Sequence, residues 1–374
     1  MDPAGLARIS SRLKEFVDRG SAAGFVTLVA RHGHLANLEA TGYQDLEAKT
    51  PMRTDTIFRI KSLTKPLTAA GIMILVDEAR ISLNDPIERY LPEFNAMRLN
   101  PCAGNRQASC DPVSPSRLIT VRDLLTHTSG LPDSGPRAGT PPASLAEMVS
   151  NGARATLISE PGAAWHYSNI GFATLGRLIE VVSRQPYDVF MTERLFRPLG
   201  MKDTHYFLPP EKVSRLAVLY TESGGKLVRA SSGPESAPAS KIPGPEGGLY
   251  STALDQARFY QMLIDKGALN GRRILSAAAA GAMTTNQTGD MKNVEFSPGL
   301  GMGFGFGVVK DAIGTFRYQS IGSFMKGGAY RTFAWGDPAR DLIGVIMYQR
   351  TNGGGDIAPE TNAFVTLAEA AVLP

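Results

Sequence analysis

Ser62-Leu63-Thr64-Lys65-Pro66 is the stretch on which the fold turns. Proline is tolerated in a helix only in the first turn, so Pro66, at the head of an apolar run, predicts a helix that begins close to Ser62 and runs to about Arg80. The Ser62 hydroxyl then stands at a helix N-terminus, where unpaired N–H groups and the positive dipole end favour negative charge developing nearby. Lys65 lies one turn later on the same face, within reach of that hydroxyl. A lysine held out of water or beside other cations loses proton affinity and can act as a base. The S-x-x-K spacing alone is weak, because Ser11 to Lys14, Ser223 to Lys226 and Ser323 to Lys326 share it. A capping serine with a solvated lysine is its ordinary reading.

Two further segments single out Ser62. Tyr167-Ser168-Asn169 follows the turn-like Pro161-Gly162 and precedes an apolar-periodic helix with Phe172, Leu175, Leu178 and Ile179. A phenol beside two lysines can be held partly ionised and shuttle a proton between Ser62 and a leaving group, although a lone tyrosine more often packs. Lys326-Gly327-Gly328-Ala329 reads as the start of a strand from Gly328 to Trp335. Its glycines let a substrate approach closely, and the Ala329 N–H can join that of Ser62 as an oxyanion hole. By itself, Lys-Gly-Gly is more often a turn.

Working outward, Leu6, Ile9, Leu13 and Phe16 recur at helical spacing, and Phe25 to Ala30 reads as a strand that turns at Gly33 and returns through Leu35 to Ala40. From Asp85 to Pro198 the pattern is of helical pieces, two of them capped by Thr120 with Asp123 and Ser144 with Glu147. A capped helix from Thr252 to Lys266 precedes strand-like segments at Gly303 to Val309, Thr315 to Gln319, Gly328 to Trp335 and Leu342 to Gln349, the last two joined at Asp337 to Asp341. The expected architecture is of the α/β class in its α+β form, an antiparallel sheet flanked by helices. Residues 1–82 and 240–374 supply the sheet, 83–239 form an inserted helical domain, and the site lies between them.

Composition is that of an ordinary globular chain, 43% hydrophobic and 20% charged over 374 residues. The net charge of +4 is spread without a run of like charges, which gives nucleic-acid binding little support. The best apolar stretch, Gly71 to Val76, stops at Asp77-Glu78, too short to span a bilayer. Met1 to Leu13 lack the form of a secretory signal, which favours a cytoplasmic protein and leaves a periplasmic or secreted one open if a signal was removed. Cys102 and Cys110 are close enough to close a ring, and free thiols fit equally well. The five histidines do not fall at ligand spacing around them, so no metal or other cofactor is expected.

The order and spacing of Ser62-Leu63-Thr64-Lys65, Tyr167-Ser168-Asn169 and Lys326-Gly327-Gly328 resemble the three motifs of the serine β-lactamase and penicillin-binding-protein superfamily. The resemblance is closest to class C β-lactamases and the family VIII carboxylesterases. It extends to Leu124-Leu125-Thr126-His127-Thr128-Ser129-Gly130-Leu131, Phe196-Arg197-Pro198-Leu199-Gly200-Met201 and Gly247-Gly248-Leu249-Tyr250-Ser251-Thr252. It implies Ser62 as nucleophile and Lys65 with Tyr167 as the base system. Asn169 is implied as a contact to the acyl side chain, Ser62 and Ala329 as oxyanion donors, and Lys326 as positive potential near Tyr167 and a substrate carboxylate. His127 reads as positioning helices and His166 as packing or rim.

The third motif departs from both groups: β-lactamases commonly carry Lys-Thr-Gly and many family VIII esterases Trp-Gly-Gly. The missing threonine hydroxyl removes a partner for a β-lactam carboxylate, a loss of about 1–3 kcal/mol if that group is buried unpaired. The expectation is therefore a carboxylesterase for small acyl esters, with weak β-lactam hydrolysis. Its rivals are a class C-like β-lactamase or D-amino-acid-specific peptidase, transfer of the acyl group to an acceptor other than water, and a non-catalytic penicillin-binding sensor. The expected partner is a small ester or β-lactam, with oligomeric state left open.

Overall fold

The computed structural model describes residues 1–103, 110–134, 142–230, 242–292, 294–311, 318–351 and 358–373. Its centre is an eight-stranded sheet in the order Leu300–Met302, Gly307–Val309, Phe324–Gly328, Thr332–Asp337, Leu342–Met347, Gly24–Arg31, His34–Asp45, Thr50–Pro51. Every neighbouring pair is antiparallel, so strands from the two ends of the chain meet where Val26 faces Met347 and Leu28 faces Val345. The first hairpin turns at His32-Gly33, both at positive φ.

The central strands are buried on both faces, and their side chains alternate between two cores. Phe25, Val29, Phe333, Trp335 and Ile346 pack against Leu6, Ile9, Leu13 and Phe16 of helix Pro3–Asp18 and Phe364 and Val365 of helix Pro359–Ala370. Val26, Leu28, Ala334, Val345 and Met347 face the other way, into a cluster that runs through Leu63, Leu67 and Phe259 to Leu124, Phe172 and Leu175. The same cluster joins the sheet to the helical middle of the chain. Trp335 lies over Gly344 on the adjacent strand, where a Cβ would stand 2.0 Å from its ring.

The fold class agrees with the sequence reading, and several boundaries move. The stretch read as one strand from Gly328 to Trp335 is a strand end, a turn at Ala329 to Arg331 and a second strand, because Arg331 adopts φ 72°. Lys326-Gly327-Gly328 thus closes a strand and does not open one. Gly303 to Val309 similarly combines a turn with the strand Gly307–Val309. In the Thr315 to Gln319 segment only Tyr318 and Gln319 are described, and neither is in a strand. The helix after Ser62 ends at Asp77, short of Arg80, with Ala79 at φ 53°. Within the helical middle, Tyr220–Ser223 and Lys226–Arg229 form a hairpin that helical patterning did not suggest. The Thr120 capping box and the Ser144 and Thr252 caps form as read. Cys102 and Cys110 are joined as a disulfide. Among the described residues no helix is long and apolar enough to cross a membrane.

Behind the sheet, the fully buried Glu369 carboxylate accepts a hydrogen bond from Trp335 Nε1 at 2.9 Å and pairs with Arg340. Burial outweighs the arginine and raises its pKa from 4.5 to about 7. A carboxyl with a raised folded-state pKa contributes stability that is full below its unfolded pKa and is lost as pH rises through the folded one. Between about pH 4.5 and 7, Glu369→Gln is therefore expected to remove on the order of 3 kcal/mol of the wild-type decline. Urea melts across that range measure it, and an unchanged slope in the variant rejects it.

Candidate active site

The site begins where two short segments tie the start of a helix to a distant loop. Phe58 and Arg59 pair with Ser251 and Tyr250, and Ile60 N donates to Leu249 O at 3.0 Å. Lys61, at φ 49°, then turns the chain into a single 3-10 turn, Lys61–Thr64, continuous with helix Lys65–Asp77. Pro66 occupies the first helical turn, as its missing N–H requires. The cap positions of the turn and the helix, Ile60 and Thr64, make no side-chain cap bond, and the Ser62 hydroxyl is met instead by Tyr167 and Lys65.

Two polar side chains meet at that hydroxyl. Tyr167 donates its phenol proton to Ser62 Oγ at 2.6 Å, and Lys65 Nζ lies 3.2 Å from the same oxygen. Lys65 Nζ also donates to Asn169 Oδ1 and to the Glu246 carbonyl, each at 2.7 Å. A neutral amine has two N–H donors and one lone pair. The two obligatory acceptors take both donors, which leaves the lone pair for the Ser62 proton. Lys65 is fully buried, and its pKa is lowered to about 7, by burial first and by the Lys326 charge second, against Glu246, Glu295 and Asp133. A base of that strength suits proton transfer near neutral pH.

Tyr167 is held from the opposite side. His127 Nδ1 accepts from Ser168 N at 3.1 Å, its carbonyl accepts from His166 N at 2.8 Å, and its ring centroid is 4.6 Å from that of Tyr167. Burial and the charges of Lys326 and Lys65 keep this imidazole well below its usual pKa, hence neutral. His127 therefore orients the Tyr167 segment more directly than it positions helices. Ser168 caps helix Asn169–Ser183, and Asn169 Nδ2 donates to Asp133 Oδ1 at 2.8 Å, so the Asn169 amide is engaged at both ends.

The strand end Lys326-Gly327-Gly328 closes the arrangement. A Cβ at Gly328 would lie 2.1 Å from Ile60 O, so only glycine lets this strand touch the backbone ahead of Ser62. Thr332 Oγ1 donates to the same carbonyl at 2.9 Å. Ala329 follows in the exposed turn. Lys326 Nζ is 5.1 Å from the Tyr167 ring centroid, and Lys65 Nζ is 4.6 Å from it, so the phenol stands beside two lysines as the sequence suggested. Lys326 does not face an open site, however: its Nζ is 2.5 Å from Glu295 Oε1.

Sequence reasoning missed Glu246, Glu295 and Asp133. Glu246 was within reach, since it directly precedes the noted Gly247-Gly248. Glu295 and Asp133 carry no local signal. The serines of the other S-x-x-K matches fall elsewhere: Ser11, with Lys14, on the exposed face of the first helix, Ser223 opposite Lys226 at the hairpin turn, and Ser323 just ahead of the strand whose Lys326 does belong to the site.

A helix-borne serine flanked by a buried lysine and a tyrosine, set against an antiparallel sheet, is the arrangement of a serine-hydrolase superfamily. The chain belongs to the β-lactamase family within it, whose model matches residues 9–368. It is 31% identical to Esterase EstB of Burkholderia gladioli over 97% of this chain and 95% of that one. It is 34% identical to Protein Rv1367c of Mycobacterium tuberculosis over 90% and 88% of the two chains. The structure of EstCE1, a hydrolase with promiscuous acyltransferase activity, covers 99% of this chain and 98% of its own, with a TM-score of 0.82 and 26% identity.

If Lys65 is the base for Ser62, it must be neutral to take the proton, and its pKa sets the pH response. For an uncharged ester, kcat/KM is expected to fall about tenfold per pH unit below a midpoint near 7 and to level off above it. Lys326→Gln removes a charge that depresses Lys65, so it is expected to move the midpoint upward. A profile with no inflection between pH 6 and 8 counts against Lys65 as the base.

Proposed function

We propose that this protein is a carboxylesterase acting on small acyl esters through a Ser62 acyl-enzyme. The observation that carries the reading is the convergence of Tyr167 and the buried Lys65 on Ser62 Oγ. In this mechanism Ser62 Oγ attacks the ester carbonyl while Lys65 takes its proton. The N–H groups of Ser62 and Ala329 hold the oxyanion, and Tyr167 gives its phenol proton to the departing alcohol and is reprotonated by Lys65. Water, activated by the same base pair, then attacks the acyl-enzyme and frees Ser62. Asn169 keeps Lys65 oriented and offers its remaining N–H to the acyl chain. We read the site as lying between residues 1–82 with 240–374 and the helical 83–239, since Ser62, Lys65 and Lys326 come from the first group and Tyr167 and Asn169 from the second.

Esters are favoured over β-lactams by the glycine at position 327, where Lys-Thr-Gly would supply a hydroxyl, and by likeness to a relative named as an esterase. Transfer to an alcohol acceptor is a second outcome of the same acyl-enzyme, and the resemblance to EstCE1 favours testing it. Ser62→Ala is expected to lower kcat/KM on p-nitrophenyl acetate and butyrate on the order of 10³-fold or more. Unchanged turnover would sink the assignment. A nitrocefin kcat/KM well above that for the esters would instead favour the β-lactamase reading.

A further inference from the structure

Glu295 reaches Lys326 from a loop built for the purpose. Glu295 and Phe296 are consecutive non-glycine residues at positive φ, 49° and 58°, a conformation that side-chain-bearing residues adopt at a cost. The turn is closed by Ser297 N donating to Val294 O at 3.0 Å and anchored by the fully buried Val294. Across from it, Gly307 leaves the space that the Glu295 stem occupies: a Cβ there would lie 3.2 Å from Glu295 Cγ. The result is an ion pair almost sealed from water, its lysine and glutamate side chains 2% and 9% exposed. At such burial the pair is little screened, and breaking it for another partner leaves a charge uncompensated.

The same turn puts Phe296 outside. Its ring is 79% exposed and stands edge-on to Trp165, with centroids 5.1 Å apart, and 6.2 Å from the Tyr167 ring. Beside Tyr167, where the leaving group departs in the proposed mechanism, the rim thus carries the aromatic pair Trp165 and Phe296. Around Lys65 three carboxylates, of Glu246, Glu295 and Asp133, bear on the site against the Lys326 ammonium.

We propose that Glu295 is a specificity residue that masks the Lys326 ammonium, so that the site accepts uncharged esters with apolar leaving groups and discriminates against substrates whose leaving group carries a carboxylate. This rests on the carboxylesterase reading and narrows its substrate class. A substrate carboxylate must displace Glu295 before it can reach Lys326, and meets like charge if it does not. Removing the glutamate charge bares the ammonium to the substrate.

The test is a matched pair of esters, phenyl acetate and 3-acetoxybenzoate, which differ by one leaving-group carboxylate. Wild-type enzyme is expected to prefer phenyl acetate. In Glu295→Gln the ratio of kcat/KM for 3-acetoxybenzoate over phenyl acetate is expected to rise tenfold or more, and in the double variant Glu295→Gln with Lys326→Gln that rise is expected to vanish. Glu295→Asn gives a second route should the first variant misfold, because asparagine tolerates the left-handed backbone. A ratio unchanged in both single variants, or a rise that persists without Lys326, overturns the role of Glu295. Wild-type protein inactive on both esters overturns the carboxylesterase reading itself, and the inference with it.

Discussion

A lysine side chain with no exposure to water has to be held by acceptors or give up its charge. Lys65 does some of each. Asn169 Oδ1 and the Glu246 carbonyl bind its amine from two separate parts of the chain, and burial brings its pKa to about 7. Much of the surrounding structure serves that one placement. The Ser168 cap sets the start of the helix that presents Asn169, and the pairing of Phe58 and Arg59 with Ser251 and Tyr250 brings the Glu246 loop against Ser62.

The sheet serves it from behind. Two cores on its two faces make the central strands rigid in both directions, so the end of strand Phe324–Gly328 is a fixed surface. Gly328 lets that surface touch Ile60, two residues before Ser62. Contact this close converts the position of a strand into the position of a hydroxyl. The neutral His127, its ring tilted against that of Tyr167, does the same for the phenol from the helical side.

Charge is distributed so that the lysines do different work. Lys65 touches the Ser62 hydroxyl, and burial lowers its proton affinity. Lys326 lowers that affinity through space while its own charge is balanced by Glu295. A lysine so balanced still acts on its neighbours but offers less to a substrate anion.

The sequence by itself determined the class of fold, the family and the residues that meet at the hydroxyl. Those properties depend on signals carried by short stretches: Pro66 marks the helix start, apolar alternation marks the central strands, and three motifs in order mark the superfamily. Strand limits near Gly328 and Gly303 were less legible, because a glycine or a residue at positive φ can end a strand within an unbroken apolar pattern. Only the tertiary structure decided which groups tune the chemistry. Asp133 meets Asn169, Glu246 meets Lys65 and Glu295 meets Lys326 across separations of tens to hundreds of residues. No local pattern records such a meeting. The helix start at Ser62 was therefore readable from five residues, whereas the charge that its partners carry depends on burial and on carboxylates that only folding brings near.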